Sequence, residues 1–253
     1  MNYRTRSRTA GLSFYVPGFP PGVKWLLIVN VAIFIPYYFL RSTEIGSYLS
    51  LMLALRPSAV VGVFMFWQLA TYMFLHGGFG HIIWNMLALW MFGADIERAW
   101  GTKRFLQFYF FCGVGAGVCV VIANYALPFG DPATPTIGSS GAIFGLLLAY
   151  AMMFPDRSIL WGFLIPIKVK WFVLIIGAIS FMSAFGSVNS GVSEFAHLGG
   201  LLFGYIFMKM PRKRWDLVGP VRQWHRDWKL QRAKKKFQVY LRKQGSDRDP
   251  WVH

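Results

Sequence analysis

Apolar residues run along this chain in long blocks rather than in short alternations. A helix that crosses a bilayer needs about 20 mostly apolar residues. Six blocks predict six helical spans, at residues 24–40, 82–96, 105–127, 140–154, 171–185 and 194–210. Several are shorter than a full crossing. That suits helices that start or stop inside the bilayer, with the broken end facing protein or a water-filled cavity. Residues 47–75 are apolar too, but Arg56-Pro57 interrupts them, and proline disrupts a helix interior. This stretch is read as a structure lying in the outer interface, with Phe64, Phe66, Trp67 and Tyr72 as interfacial aromatics.

Charge sets the orientation. The formal net charge is +16, yet only 14% of residues are charged, against about 25% in a soluble domain. The basic residues lie outside the apolar blocks or at their ends. With six spans, Arg4, Arg6, Arg8, Lys24, Arg98, Lys103, Arg104, Arg157, Lys168, Lys170, Lys209 and every later Lys and Arg share one side. Only Arg41 and Arg56 fall on the other. A seventh span within 47–75 would break this pattern, so the positive-inside rule favours six and places both termini in the cytoplasm. The expected class is an all-α, multi-pass integral membrane protein of the bacterial inner membrane. Residues 1–23 form a cytoplasmic N-terminal segment, 24–210 a six-helix domain, and 211–253 a basic cytoplasmic tail. Residues 1–23 lack the pattern of a cleaved leader, so the first block is read as a retained span.

In the tail, Leu217, Val221, Trp224 and Trp228 recur on one helix face among many Lys and Arg. A basic amphipathic helix beside a membrane suits an anionic lipid surface. A solvated tail that only fixes topology is the alternative, and nucleic acid is not an expected partner. Cys112 and Cys119, seven residues apart in one span, read as small core residues.

Polar residues inside spans are costly, so each is a candidate for function. The fourth block opens on Gly138-Ser139-Ser140-Gly141, and the sixth contains His197-Leu198-Gly199-Gly200. Gly141 and Gly145 make a small-residue stripe, and His197, Gly200 and Gly204 make a matching one. Such stripes let helix backbones approach closely. Close approach would bring a short serine within reach of a histidine on another helix. A serine hydroxyl is a weak nucleophile until a neighbouring base takes its proton. Ser140 also stands at a helix start, where unpaired N–H groups favour developing negative charge. The bland alternative is that the serine bonds to its own backbone and the glycines only pack. His76, His81 and Asn85 precede or line the second span. His81 and Asn85, four apart, share a face and could donate to an oxyanion, or simply join helices.

The strings HGGFGHIIWN, GSSGAIFG and AHLGGLLFG, in that order on spans two, four and six, resemble the rhomboid intramembrane serine proteases. The resemblance covers roughly residues 24–210. It implies a catalytic dyad of Ser140 and His197, without a third member. It implies an oxyanion site from His81, Asn85 and the Ser140 N–H, and Phe144 packed on the histidine ring. His76, Gly138, Gly141 and Gly200 would support that site. It matches Trp67-Gln68 to an outer-loop pair that is usually Trp-Arg, and the IERAWGT string to a structural turn after span two. The implied substrates are transmembrane segments of other proteins, opened near the outer face at small residues. No cofactor is implied.

Other chemistries fit less well. There is no HExxH string for zinc and no pair of intramembrane aspartates, and no metal site is expected. A solute transporter would want paired acid–base relays or an inverted repeat. A catalytically silent rhomboid-like binding protein remains the main alternative, and the presence of both Ser140 and His197 weighs against it. Glu194, three residues before His197, is expected to cap the sixth span rather than orient the histidine.

Overall fold

The computed structural model describes residues 18–128, 130–161, 165–186, 191–211 and 223–234. The residues 1–17 of the expected N-terminal segment, and the tail positions Leu217 and Val221, lie outside these. The chain divides into two compact units, Met1–Lys209 and Met210–His253.

The first unit is mostly helical. Helix α1 (Pro21–Leu40) begins on Pro20 and Pro21, with proline suited to the first turn because it has no N–H to satisfy. The next two free donors, Gly22 N–H and Val23 N–H, give hydrogen bonds of 2.7 and 2.8 Å to the Glu97 carboxylate. Thr102 Oγ1 donates to the same carboxylate at 2.6 Å. Glu97 is 2% exposed. A buried carboxylate thus closes the positive end of α1 and ties it to the turn at Gly101.

Residues 47–75 form no single helix. They give α2 (Glu44–Leu53), α3 (Pro57–Gly62), α4 (Gln68–Thr71) and a 3₁₀ turn at Tyr72–Phe74. The break falls at Arg56-Pro57, with Pro57 opening α3. Three side chains then satisfy carbonyls left open at the end of α2. Gln68 Nε2 donates to Leu51 O (2.9 Å), Trp67 Nε1 to Met52 O (2.8 Å) and Thr71 Oγ1 to Leu53 O (2.8 Å). Gln68 Oε1 also accepts from Arg56 N at 2.9 Å. Gln68 is fully buried and acts as a staple inside this segment.

Helices α5 (Phe79–Ala88) and α6 (Ala94–Trp100) run on through a π-helical turn at Leu89–Gly93. The long α7 (Thr102–Ala126) forms the centre of the unit and packs most extensively against the helices that carry Ser140 and His197. After it come α8 (Ser140–Met153), α9 (Val169–Gly186) and α10 (Gly191–Lys209). Between α8 and α9 lies a short antiparallel hairpin, β1 (Ser158–Trp161) with β2 (Ile165–Lys168), in which Ser158 pairs with Lys168. The hairpin is a departure from the all-helical expectation. At its base Asp156 binds Lys170 Nζ (2.8 Å) and Lys168 Nζ (3.3 Å), which hold its carboxyl below the usual carboxylate range.

By length and composition, α1 and α7 are each apolar enough to cross a membrane, while Ser140–Met153 and Val169–Phe185 are shorter apolar helices. Cys112 is fully buried under α8, and both cysteines are free. In the second unit, residues 223–234 are helical and exposed, and Arg232 stacks over the Trp228 ring at 4.0 Å.

Candidate active site

The loop that leads into α8 is pinned before the serine arrives. Leu55 and Thr136 exchange backbone hydrogen bonds of 3.0 and 2.8 Å, and Gly138 N–H donates to Tyr72 O at 2.9 Å. Upstream, the Asp131 carboxylate accepts from Thr134 Oγ1 (2.6 Å) and Ala133 N (2.9 Å), which hold it below the usual carboxylate range. Gly138 has φ +114°, a region closed to most side chains, and a Cβ there would meet His81 Nε2 at 2.6 Å. The chain therefore turns against the His81 ring and enters α8 with Ser140 as its first residue.

The small-residue stripes meet as expected of their spacing. A Cβ on Gly200 would fall onto the Gly141 carbonyl oxygen, and one on Gly204 would lie 3.1 Å from Gly145 Cα. With no side chain between them, the α8 and α10 backbones touch. As a result Ser140 Oγ stands 3.0 Å from His197 Nε2, which is hydrogen-bond distance. The ring of Phe144, one turn after the serine, lies parallel to the imidazole at a centroid distance of 4.1 Å and an interplanar angle of 5°.

His76 and His81 gather at the Gly138–Ser139 turn that precedes Ser140, and Asn85 stands one turn after His81 on α5. The His76 and His81 rings are 5.0 Å apart. His76 is buried, and its Nε2 lies 3.4 Å from the Ser139 hydroxyl. Ser139, the hydroxyl next to Ser140 in the chain, therefore faces His76. Asn85 is 6% exposed, and its Nδ2 has no hydrogen-bond partner among the described residues. An amide donor buried without a partner is costly, and it is what an incoming anion would use. No group of three metal-binding side chains occurs among the described residues.

One expectation needs correcting. Glu194 sits in the first turn of α10, but its carboxylate also turns onto the histidine, with Oε2 3.0 Å from His197 Nδ1. Ser180 on α9, which the sequence analysis did not single out, brings its Oγ to 3.4 Å from the same nitrogen. The i, i+3 spacing of Glu194 and His197 on one helix face was the available signal for the first contact. Nothing in the sequence marks Ser180.

Comparison with known proteins adds the family. A family model described as Rhomboid domain matches residues 63–214. Rhomboid protease GluP of Bacillus subtilis (strain 168) is 33% identical over 151 residues, covering 59% of this chain and 27% of that protein. Rhomboid-like protease 5 of Toxoplasma gondii is 34% identical over 150 residues, covering 53% of this chain and 15% of that protein. RHOMBOID-like protein 1 of Arabidopsis thaliana is 32% identical over 163 residues, covering 63% of this chain and 39% of that protein. The chain thus spans well under two thirds of these relatives' own length. The family match takes in the π-turned helix pair α5–α6, all of α7 to α10, and the serine and histidine between them. The chain belongs to the rhomboid family.

Proposed function

We propose that the chain is an intramembrane serine endopeptidase that cuts transmembrane segments of other proteins, with Ser140 as nucleophile and His197 as general base. The observation that carries the reading is the 3.0 Å approach of Ser140 Oγ to His197 Nε2 across two helices. As Oγ attacks the scissile carbonyl carbon, its proton passes to Nε2. The carbonyl oxygen becomes an oxyanion, for which Asn85 Nδ2, His81 and the Ser140 N–H are the available donors. His197 then gives its proton to the leaving amine, and an acyl-Ser140 ester remains. A water follows the same route: it loses a proton to His197, attacks the ester carbon, and the proton returns to Oγ.

The membrane setting is part of the proposal. Alpha1, the α5–α6 pair, α7, α8, α9 and α10 serve as six spans, and the α2–α4 segment lies at the outer face. In support, large apolar side chains are exposed along α1 and α9, among them Trp25, Ile35, Phe39, Leu174, Ile179 and Met182. An apolar surface of that extent suits lipid rather than water. The distribution of Lys and Arg supports a cytoplasmic placement of both termini. Trp224, Trp228 and the basic residues of 223–234 suit the surface of an anionic leaflet.

The test is cleavage of a single-span reporter substrate in liposomes. Wild type should release product, while Ser140→Ala and His197→Ala should each lower the rate by at least about a thousandfold, as for members of a catalytic unit that act together. Equal product from all three would refute the assignment.

A further inference from the structure

We propose that Glu194 is a positioning residue for His197, so that this chain works through a line of Ser140, His197 and Glu194 rather than a bare pair. The inference rests on the hydrolytic reading above. It departs from the dyad that the family resemblance implies, and it comes from where the side chains lie.

The imidazole has two nitrogens, and each has a partner. Nε2 faces the Ser140 hydroxyl at 3.0 Å, and Nδ1 faces Glu194 Oε2 at 3.0 Å. An ionised carboxylate accepts hydrogen bonds and donates none. The hydrogen of the neutral ring must then sit on Nδ1. That leaves the Nε2 lone pair directed at the serine, which is the tautomer a general base needs. With the hydrogen on Nε2 instead, the ring could not take the serine proton.

Three contacts fix the ring in that pose. Glu194 and His197 are three residues apart on α10, so the helix itself sets their separation. Phe144 covers one face of the imidazole. Ser180, from α9, lies beside both Nδ1 and the Glu194 carboxylate, where its hydroxyl can donate to the carboxylate without competing for Nδ1. The side chains of His197 and Glu194 are 19% and 21% exposed, so the contact is largely withdrawn from solvent. Among the described residues, His81 from α5 is a second titratable group that acts on this ring. It brings no negative charge, which leaves Glu194 as the acid in contact with His197 among the described residues. When Nε2 takes the serine proton the ring becomes a cation, and the adjacent carboxylate stabilises it through the tetrahedral stage.

The test uses the full chain in detergent micelles and liposomes. Glu194→Gln keeps the volume and polarity of the side chain but offers an amide, which can donate to Nδ1 and move the ring hydrogen to Nε2. It should lower kcat about tenfold to a hundredfold, the range of a general-base contribution, with KM for the reporter unchanged. Ser180→Ala should have a smaller effect in the same direction. The ¹⁵N spectrum of histidine-labelled wild type, assigned against His197→Gln, should show His197 protonated at Nδ1 in the neutral ring. In Glu194→Gln the Nε2-protonated form should grow. A packing role would leave the tautomer and kcat as they are. Wild-type kcat in a folded Glu194→Gln, or a neutral His197 protonated at Nε2 in wild type, would overturn the proposal. If the wild type cleaved nothing, the hydrolytic reading would fail by itself, and the wild-type spectrum would still decide whether Glu194 sets the tautomer.

Discussion

At the scale of single residues, the candidate site depends on what is missing as much as on what is present. A serine side chain is short, and it reaches a histidine on another helix only if the two backbones come nearly into contact. Gly141 and Gly200 permit this, because the α10 backbone at Gly200 lies against the Gly141 carbonyl. Gly200→Ala should force α8 and α10 apart, at a cost of roughly 1–3 kcal/mol for overpacking. The Ser140–His197 distance should lengthen with it. The expected readout is a lowered thermal midpoint in detergent together with a loss of reporter cleavage greater than the melt alone explains. Unchanged activity would mean that the close approach is not what sets the pair. The glycine stripes and the serine at a helix start were legible in the sequence because both rest on spacing along one helix. The Ser180 contact was not legible, since it depends on how α9 is rotated against α10. Glu194 was visible by spacing but was assigned to the helix end, where a carboxylate is also favourable. Local reasoning could not choose between two favourable positions one turn apart.

At the scale of elements, helix positions followed from the apolar blocks to within a few residues, and the break at Arg56-Pro57 followed from proline chemistry. What the blocks could not show is how ends are closed. Glu97 reads as an ordinary acid after the second apolar block, yet it is buried and caps α1 from 74 residues away in sequence. Gln68 replaces an expected basic residue and satisfies α2 and Arg56 from within. The π-helical turn at Leu89–Gly93 and the β1–β2 hairpin have no clear periodic signature, with only five residues in the turn and four in each strand. For Glu97 the consequence is measurable. In Glu97→Ala, Gly22 N–H and Val23 N–H would lose their acceptor in a buried position. The expected destabilisation is roughly 2–3 kcal/mol, the range for hydrogen bonds to a charged group. A thermal or denaturant melt in detergent checks it. Full stability in that variant would show that α1 closes its first turn some other way.

At the scale of the whole molecule, a chain with this much exposed apolar side chain and so few charges is built for lipid. The π-turned α5–α6 helix, the central α7 and the glycine-paired α8 and α10 together bring a serine and three histidines into one neighbourhood. The proposed chemistry draws on no residue of the basic C-terminal stretch. Removing everything after Met210 should leave reporter cleavage within about twofold, a change in barrier well under 1 kcal/mol. A collapse of activity on truncation would instead tie the tail to catalysis.

The most direct measurement for the central claim is labelling by a fluorophosphonate, which forms a stable bond only with an activated serine. Wild type in liposomes should take up one equivalent, with the modified peptide mapping to Ser140, and labelling should vanish in Ser140→Ala and in His197→Ala. Label that persists in Ser140→Ala, or that maps to Ser139, would contradict the account.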